Sequence, residues 1–100
     1  MEIKKPAIAG TVESSDCMIA LRPGTNGIHI DLSSDVEMMF GKSILATAET
    51  VLQEMGVRDA EVSIVDHGAL DCVIRARMQC AVCRAAEQPY DWRKEEACHV

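Results

Sequence analysis

The sequence predicts an α+β domain, a two-layer sandwich in which two helices lie on one face of a mostly antiparallel four-stranded sheet. Apolar residues alternate with period two over residues 7–32, and the period changes to that of a helix after Ser34 and again after Gly68. Each helical segment has one apolar stripe and each strand one apolar face, which favours packing both helices on the same side. The predicted order is β-β-β-α-β-α.

The first three strands come from the alternating segment. Residues 13–16 and 23–27 separate them, and both segments are polar or rich in turn formers, so we expect two hairpin connections. The first is less conventional, because Ser-Ser lacks the glycine that tight hairpins favour. A fourth strand is expected at 60–66. The apolar positions are Ile8, Gly10, Val12, then Cys17, Ile19, Leu21, then Ile28, Ile30, Leu32, and finally Val62 and Ile64.

Two segments have helical spacing. Ser34 and Glu37 match a capping box and Gly56 suits a left-handed cap, which predicts a helix from about residue 35 to 55. The second helix should run from about 69 to 86. The stripes are Val36, Phe40, Ile44, Thr47, Val51 and Met55, then Leu70, Ile74, Met78, Ala81, Val82 and Ala85. We expect residues 1–88 to form the domain and the polar residues 89–100 to be a flexible tail.

Composition excludes several classes of protein. The 100 residues carry a net charge of −6, which argues against binding to nucleic acid or to an anionic membrane. No signal peptide or membrane-spanning apolar run is evident, so the cytoplasm is the expected location. The five cysteines agree, since their odd number and spacing give no disulfide framework.

The strongest metal candidate is a CxxC pair, Cys80 and Cys83, which Cys98 and His99 could nominally complete. The pair lies inside a predicted helix, whereas a redox pair would sit at a helix start, and the tail ligands are adjacent. We therefore expect no metal site. His29, Asp66 and His67 are possible acid–base residues, but local spacing gives none of them a catalytic partner.

Two sets of residues are candidates for partner docking. Arg77 and Arg84 share one helix face with Arg75 to one side, which fits either a solvated face or a docking patch. Tyr90 and Trp92 lie in the tail, where they are either incidental or anchors on a partner protein.

Ser14 lies at the polar tip of the first hairpin. A tip exposes its hydroxyl to a modifying enzyme, although composition alone gives only an ordinary loop.

Three stretches add a resemblance to this description. Residues 5–14 (KPAIAGTVES) resemble the start of the citrate lyase acyl carrier proteins, or γ subunits, which open with a similar Pro-Ala-x-Ala-Gly-Thr-x-Glu-Ser stretch. Residues 68–77 (GALDCVIRAR) and the Val-Glu-x-x-Phe-Gly run at 36–41 are also similar to that family. The similarity covers about residues 1–86, whereas the Asp-Ser-Leu signature of helical-bundle carriers is absent.

The resemblance implies that Ser14 carries phosphoribosyl-dephospho-coenzyme A through a phosphodiester. Ser15 follows it, where a glycine is common in relatives. The implied partners are the citrate lyase α subunit (acyl transferase), the β subunit (citryl lyase) and a prosthetic-group transferase, with the chain itself a non-catalytic carrier of acetyl and citryl thioesters. The alternatives are the acyl carrier subunit of malonate decarboxylase and an interaction domain without a prosthetic group.

Overall fold

The computed structural model describes residues 1–34 and 37–88, with the backbone alone for 37–40. The elements are β1 Ala7–Gly10, β2 Cys17–Pro23, β3 Ile28–Ser34, α1 Glu37–Glu54, β4 Ala60–Asp66 and α2 Asp71–Ala86. This is the predicted order. The expected tail and the Val36 stripe position lie outside the described residues.

The four strands form one mixed sheet in the order β1-β2-β4-β3. β1 pairs antiparallel with β2, β2 antiparallel with β4, and β3 parallel with β4. α1 connects the two parallel strands, as a parallel pair requires a crossover. The expected α+β class with a mostly antiparallel sheet is confirmed.

The predicted hairpin at 23–27 is wrong, because β4 lies between β2 and β3. The segment instead crosses the beginning of β4. The Ala60 amide donates to the Gly27 carbonyl at 3.1 Å, and the Gly27 amide donates to the Asp59 carboxylate at 2.7 Å. A Cβ at Gly24 would lie 3.0 Å from the Ala60 backbone, so the two chains pass in close contact. Turn composition indicates a connection between two strands, but it does not specify which strand pairs with which.

The core lies between the sheet and both helices. β2 and β4 contribute alternate buried residues, and α1 and α2 pack on each other and on the same side of the sheet. The largest fully buried apolar side chains are Ile19, Leu21, Val51, Leu52, Ile64, Ile74, Met78 and Val82. Within the described ranges, no helix is long and apolar enough to cross a bilayer.

Three predicted core positions are exposed. Val12 is 57% exposed, because β1 ends at Gly10 and Val12 lies in the loop that follows. In β1, Ala9 is buried and Ile8 is 56% exposed, because Ala9 pairs with the inward Ile19 and Ile8 pairs with Ala20 on the open face. Leu70 is 71% exposed, since it is the extended N-cap residue of α2 and precedes the first helical turn. The left-handed residue expected after α1 is present, as Gly56 has φ +70°.

Candidate functional site

Ser14 lies in the loop 11–16 that joins β1 to β2, and its side chain is exposed. The Asp16 amide donates to the Glu13 carbonyl at 3.2 Å and so closes a four-residue turn. Ser15, the third residue of this turn, has φ +65°, a conformation that glycine adopts more readily. The first predicted hairpin is therefore present, with Ser14 at its tip.

Thr11 and Asp16 close the base of this loop. The Thr11 hydroxyl donates to Asp16 Oδ2 at 2.7 Å and accepts from the Glu13 amide at 3.3 Å. The Thr11 amide donates to the Cys17 carbonyl at 3.2 Å, and the Cys17 amide donates to Asp16 Oδ1 at 2.7 Å. These bonds hold the two ends of the loop together beneath Ser14.

The segment that follows β4 supports the loop from the side. The Ser15 amide donates to the His67 carbonyl at 2.8 Å, and the His67 amide donates to the Asp16 carbonyl at 2.9 Å. The two bonds continue the β2–β4 pairing beyond Cys17 and Asp66, the last paired residues of the strands. The backbone of Ser15 is thus anchored to the sheet.

Arg77 of α2 binds the base of the loop in a bidentate ion pair. Its Nε donates to Asp16 Oδ1 at 3.1 Å and its Nη2 to Oδ2 at 2.8 Å. The guanidinium, together with the Thr11 hydroxyl and the Cys17 amide, holds the pKa of Asp16 well below its ordinary value of 3.8. The bond to Asp16 also raises the pKa of Arg77, so both groups are charged at neutral pH.

Gly10 makes room for this ion pair. It has φ +95°, and a Cβ there would collide with the Cys17 carbonyl and lie 3.1 Å from Arg77 Cδ. A side chain at this position would therefore displace either β2 or the arginine. Local packing thus explains why the Ala-Gly-Thr stretch has a glycine at this position.

Asp66, one of the candidate acid–base residues, is fully buried and bound to three groups. Its carboxylate accepts from the Ser34 hydroxyl at 2.9 Å, the Gly68 amide at 3.2 Å and the Ala69 amide at 3.0 Å. It fixes the segment between β4 and α2 that also carries the His67 backbone contacts. The arrangement indicates a structural anchor.

The other candidates lie apart from one another. His29 is exposed on the open face, opposite Glu61 near the beginning of β4, whereas Asp66 and His67 lie at its end. The His29 ring Nε2 lies 3.1 Å from the Asn26 carbonyl oxygen. The fold therefore does not bring His29 together with Asp66.

The three arginines proposed for docking each bind a group of this chain. Arg77 binds the loop, Arg84 Nη1 donates to the Ile8 carbonyl at 2.7 Å, and Arg75 Nη2 donates to Glu54 Oε2 at 2.7 Å. Arg77 and Arg84 thus share the side of α2 that faces β1 and β2, while Arg75 joins the helices, as the spacing indicated. The two tail aromatics, Tyr90 and Trp92, lie outside the described residues.

The cysteines lie in several environments. Cys17 is buried, Cys72 is exposed, and Cys80 and Cys83 are half-buried within α2. Burial, with the nearby aspartates, raises the pKa of Cys17 to about 11, and burial also raises that of Cys83. In the part of the chain that the structure describes, no three His, Cys, Asp or Glu side chains are grouped to hold a metal. Cys98 lies beyond it.

Most contacts of the site could not be predicted from the sequence. The Ser14 tip was found from the hairpin pattern and the resemblance. Arg77 was singled out for docking, and nothing in local spacing pointed to Asp16, which is 61 residues away from it. The Gly10-Thr11 dipeptide next to the loop was the one sequence feature that could have pointed to contacts beneath the tip.

Comparisons with known proteins agree on the family. The acyl carrier family described as "Malonate decarboxylase delta subunit (MdcD)" matches residues 4–85. The citrate lyase acyl carrier protein of Clostridium perfringens is 50% identical over 92% of this chain and 93% of that relative. Those of Weissella paramesenteroides and Escherichia fergusonii are 55% and 53% identical, over 87% and 88% of this chain and 90% and 92% of the relatives.

One solved structure supports the fold. A chain of a Pseudomonas malonate decarboxylase hetero-tetramer in complex with malonate superposes with a TM-score of 0.59, at 22% identity, over 85% of this chain and 92% of that one. The alignments with the sequence relatives extend over nearly the whole length of those relatives, so the match is not confined to one motif. The chain belongs to this acyl carrier family and, within it, to the citrate lyase acyl carrier proteins.

Proposed function

We propose that this chain is the acyl carrier subunit of citrate lyase and that Ser14 holds phosphoribosyl-dephospho-coenzyme A through a phosphodiester. Two observations together support the proposal: the family to which the chain belongs and the position of Ser14 in the fold. Relatives at about half identity bear that name, and the serine of the family motif lies exposed at the tip of a braced loop. The chain is then a non-catalytic subunit in a cytoplasmic complex.

The loop fits a covalently attached group. The Ser14 side chain faces solvent, and none of the described hydrogen bonds in the loop uses its hydroxyl. Esterifying Ser14 Oγ therefore breaks none of the hydrogen bonds among the described residues. The bonds that hold the loop are made by its neighbours, Thr11, Ser15 and Asp16. The attachment point can carry a large substituent while its base stays fixed.

The contribution of this chain is positional. When bound, the prosthetic group supplies a thiol that carries acetyl and citryl groups as thioesters. Ser14 fixes the origin of that arm, and the loop bonds keep the origin at a constant place on the domain. Tethering turns encounters with the α and β subunits into intramolecular ones at raised effective concentration. A divalent cation for the cleavage step would belong to the β subunit.

Docking to the catalytic subunits has to come from surfaces that leave the Ser14 tip accessible. Arg75, Arg77, Arg84 and the Tyr90/Trp92 tail are the proposed contacts. Each guanidinium has five N–H donors, so an arginine bound within the chain retains donors for a partner carboxylate. Deleting residues 89–100 should weaken assembly with the α and β subunits if the tail is an anchor. Unchanged affinity would leave the arginine face.

The second candidate is the acyl carrier subunit of malonate decarboxylase. The family description and the similar chain in the malonate decarboxylase hetero-tetramer favour it. The 22% identity to that chain is far below the 50–55% identities to citrate lyase carriers, which is why we prefer the latter. An interaction domain without a prosthetic group is the third candidate, and only a test of modification separates it.

Reconstitution tests the choice between these functions. The loaded chain should restore citrate cleavage when mixed with citrate lyase α and β subunits, and it should not restore malonate decarboxylation with decarboxylase subunits. A Ser14→Ala chain should be inactive and Ser15→Ala active, with both folded by circular dichroism. Restoration of malonate decarboxylation alone would establish the second candidate. Citrate cleavage supported by Ser14→Ala would reject the assignment of the serine.

A further inference from the structure

We propose that the Asp16–Arg77 ion pair is a positioning device that presents Ser14, rather than the adjacent Ser15, to the enzyme that attaches the prosthetic group. The proposal rests on the proposed function and adds to it the groups that determine which serine is modified.

The choice between two adjacent serines needs a physical basis. Ser14 and Ser15 are both exposed and carry the same hydroxyl. They differ in backbone environment, since Ser15 has φ +65° and its amide is bound to the His67 carbonyl at 2.8 Å. Ser14 occupies the second position of the turn, ahead of that anchored residue. The turn geometry, and not side-chain chemistry, distinguishes the two serines.

Asp16 fixes that geometry because every part of it is engaged. Its two carboxylate oxygens accept from the Thr11 hydroxyl, the Cys17 amide and both donors of Arg77. Its backbone closes the turn to Glu13 and accepts from the His67 amide. The Asp16 side chain is only 15% exposed, which agrees with the number of groups that contact it. Rotation of Asp16 would therefore alter the turn that carries both serines.

Arg77 connects Asp16 to a helix whose opposite face is packed into the core. The residues on either side of it in α2 that face the core, Ile74 and Met78, are fully buried. The helix therefore cannot shift without disturbing the core. The planar guanidinium reaches both carboxylate oxygens at 3.1 and 2.8 Å, which a lysine ammonium cannot reproduce as a fork. Gly10 leaves the space through which the side chain passes.

A role in folding alone would give a different result from a positioning role. Arg77 retains 39% side-chain exposure and lies at the rim of the core, so its loss should leave the fold intact. If the ion pair only stabilised the domain, a folded Arg77→Gln chain would be loaded normally at Ser14. If it positions the loop, loading should slow and spread to Ser15 in a chain that is still folded.

The test uses the purified apo chain, the prosthetic-group transferase and its coenzyme-A-derived donor. Loading is followed by mass spectrometry over a range of carrier concentrations, and fragmentation assigns the product to Ser14 or Ser15. We expect Arg77→Gln to lower the loading kcat by about tenfold, with a smaller change in KM, and to give a measurable share of product at Ser15. Arg77→Lys should recover part of the rate because it keeps the charge without the fork.

Two further variants complete the design. Arg58→Gln is the matched control, because Arg58 is exposed and lies beside the beginning of β4, at the other end of that strand from the loop. It should load like the unaltered chain. Thr11→Val removes the hydroxyl between Glu13 and Asp16 without touching α2, and it should reduce the rate and site fidelity in the same direction. It decides the question if Arg77→Gln does not fold.

Amide hydrogen exchange of the apo chain gives a readout that is independent of loading. Exchange at Ser15 and Asp16 should be faster in Arg77→Gln than in Arg58→Gln, since the turn is released. Folded Arg77→Gln and Thr11→Val chains that load only at Ser14, at the unaltered kcat, would overturn the positioning role and leave the proposed function intact. Loading of a Ser14→Ala chain at the unaltered rate would instead reject Ser14 as the attachment site, which is part of the proposed function.

Discussion

Replacing Asp66 with alanine should remove a large part of the stability of the domain. The carboxylate is fully buried and accepts three hydrogen bonds, from the Ser34 hydroxyl at 2.9 Å and the Gly68 and Ala69 amides at 3.2 and 3.0 Å. Asp66→Ala leaves these donors without their acceptor and opens a space in the core-facing end of β4.

The magnitude follows from the number and setting of the donors. An unsatisfied buried donor costs about 1–3 kcal/mol. Gly68 is exposed, so water can replace its bond, and Ser34 can rotate its hydroxyl. We therefore expect about 3 kcal/mol, near the lower end of the sum for three donors. A chain of 100 residues has about 5–15 kcal/mol in total, so the loss is a large fraction. It should lower Tm by roughly 12–24 °C.

Urea unfolding and thermal melting, followed by circular dichroism, measure this change. Asp66→Asn keeps the shape and one acceptor oxygen, so it should lose about half as much as Asp66→Ala. Asp31→Ala is the control, because Asp31 is an exposed carboxylate on the open face of the sheet and its loss should stay within about 0.5 kcal/mol. An Asp66→Ala chain that melts together with Asp31→Ala would refute the assignment of Asp66 as a structural anchor.

Four other changes test the remaining parts of the description. Ile74→Asp places a charge at a fully buried position and should cost several kcal/mol in urea unfolding; an unaltered midpoint would mean that the buried face of α2 is misassigned. Ser15→Gly should stabilise the domain by about 0.5 kcal/mol. Glycine removes the cost of the left-handed conformation, about 1–2 kcal/mol, but it adds a chain-entropy cost of about 0.5–1 kcal/mol. A lower urea midpoint for Ser15→Gly would contradict this. The pKa of Asp16 is lowered on folding, so the contribution of this carboxylate to stability is complete above its ordinary pKa of 3.8 and is lost as the pH falls through the folded value. The unfolding free energies of the unaltered and Asp16→Asn chains should therefore differ at pH 7 and converge in acid. A difference that does not change with pH would contradict this. Iodoacetamide should alkylate the exposed Cys72 long before Cys17, whose pKa burial raises to about 11, and equal rates measured by peptide mass would show that Cys17 is accessible.

Local periodicity was sufficient for the elements but not for their partners. The changes of period after Ser34 and after Gly68 predicted both helices and β4 to within a few residues. It could not show that β4 separates β2 from β3, because that choice depends on pairing between distant segments. The face of β1 was misread for the same reason, since Ala9 and Ile8 are both apolar and only the register with β2 decides which is buried.

The candidate site divides in the same way. The exposed tip at Ser14 followed from a polar segment between two strands, and its proposed role followed from the family resemblance. The contacts that brace the tip join Asp16 to Arg77 and Ser15 to His67 across long stretches of sequence. The spacing of residues along the sequence does not indicate such contacts, so only the three-dimensional structure could identify them. The buried role of Asp66 was equally hidden, because a carboxylate before His-Gly also suits a catalytic turn.

The most direct test of the central claim is site-resolved mass analysis of the chain purified from cells that express the whole citrate lyase complex and its loading enzymes. We predict a single covalent addition with the mass of phosphoribosyl-dephospho-coenzyme A, carried by the peptide that contains residues 11–16 and assigned to Ser14 by fragmentation. An unmodified chain from an active complex, or an addition on a residue outside this loop, would contradict the account.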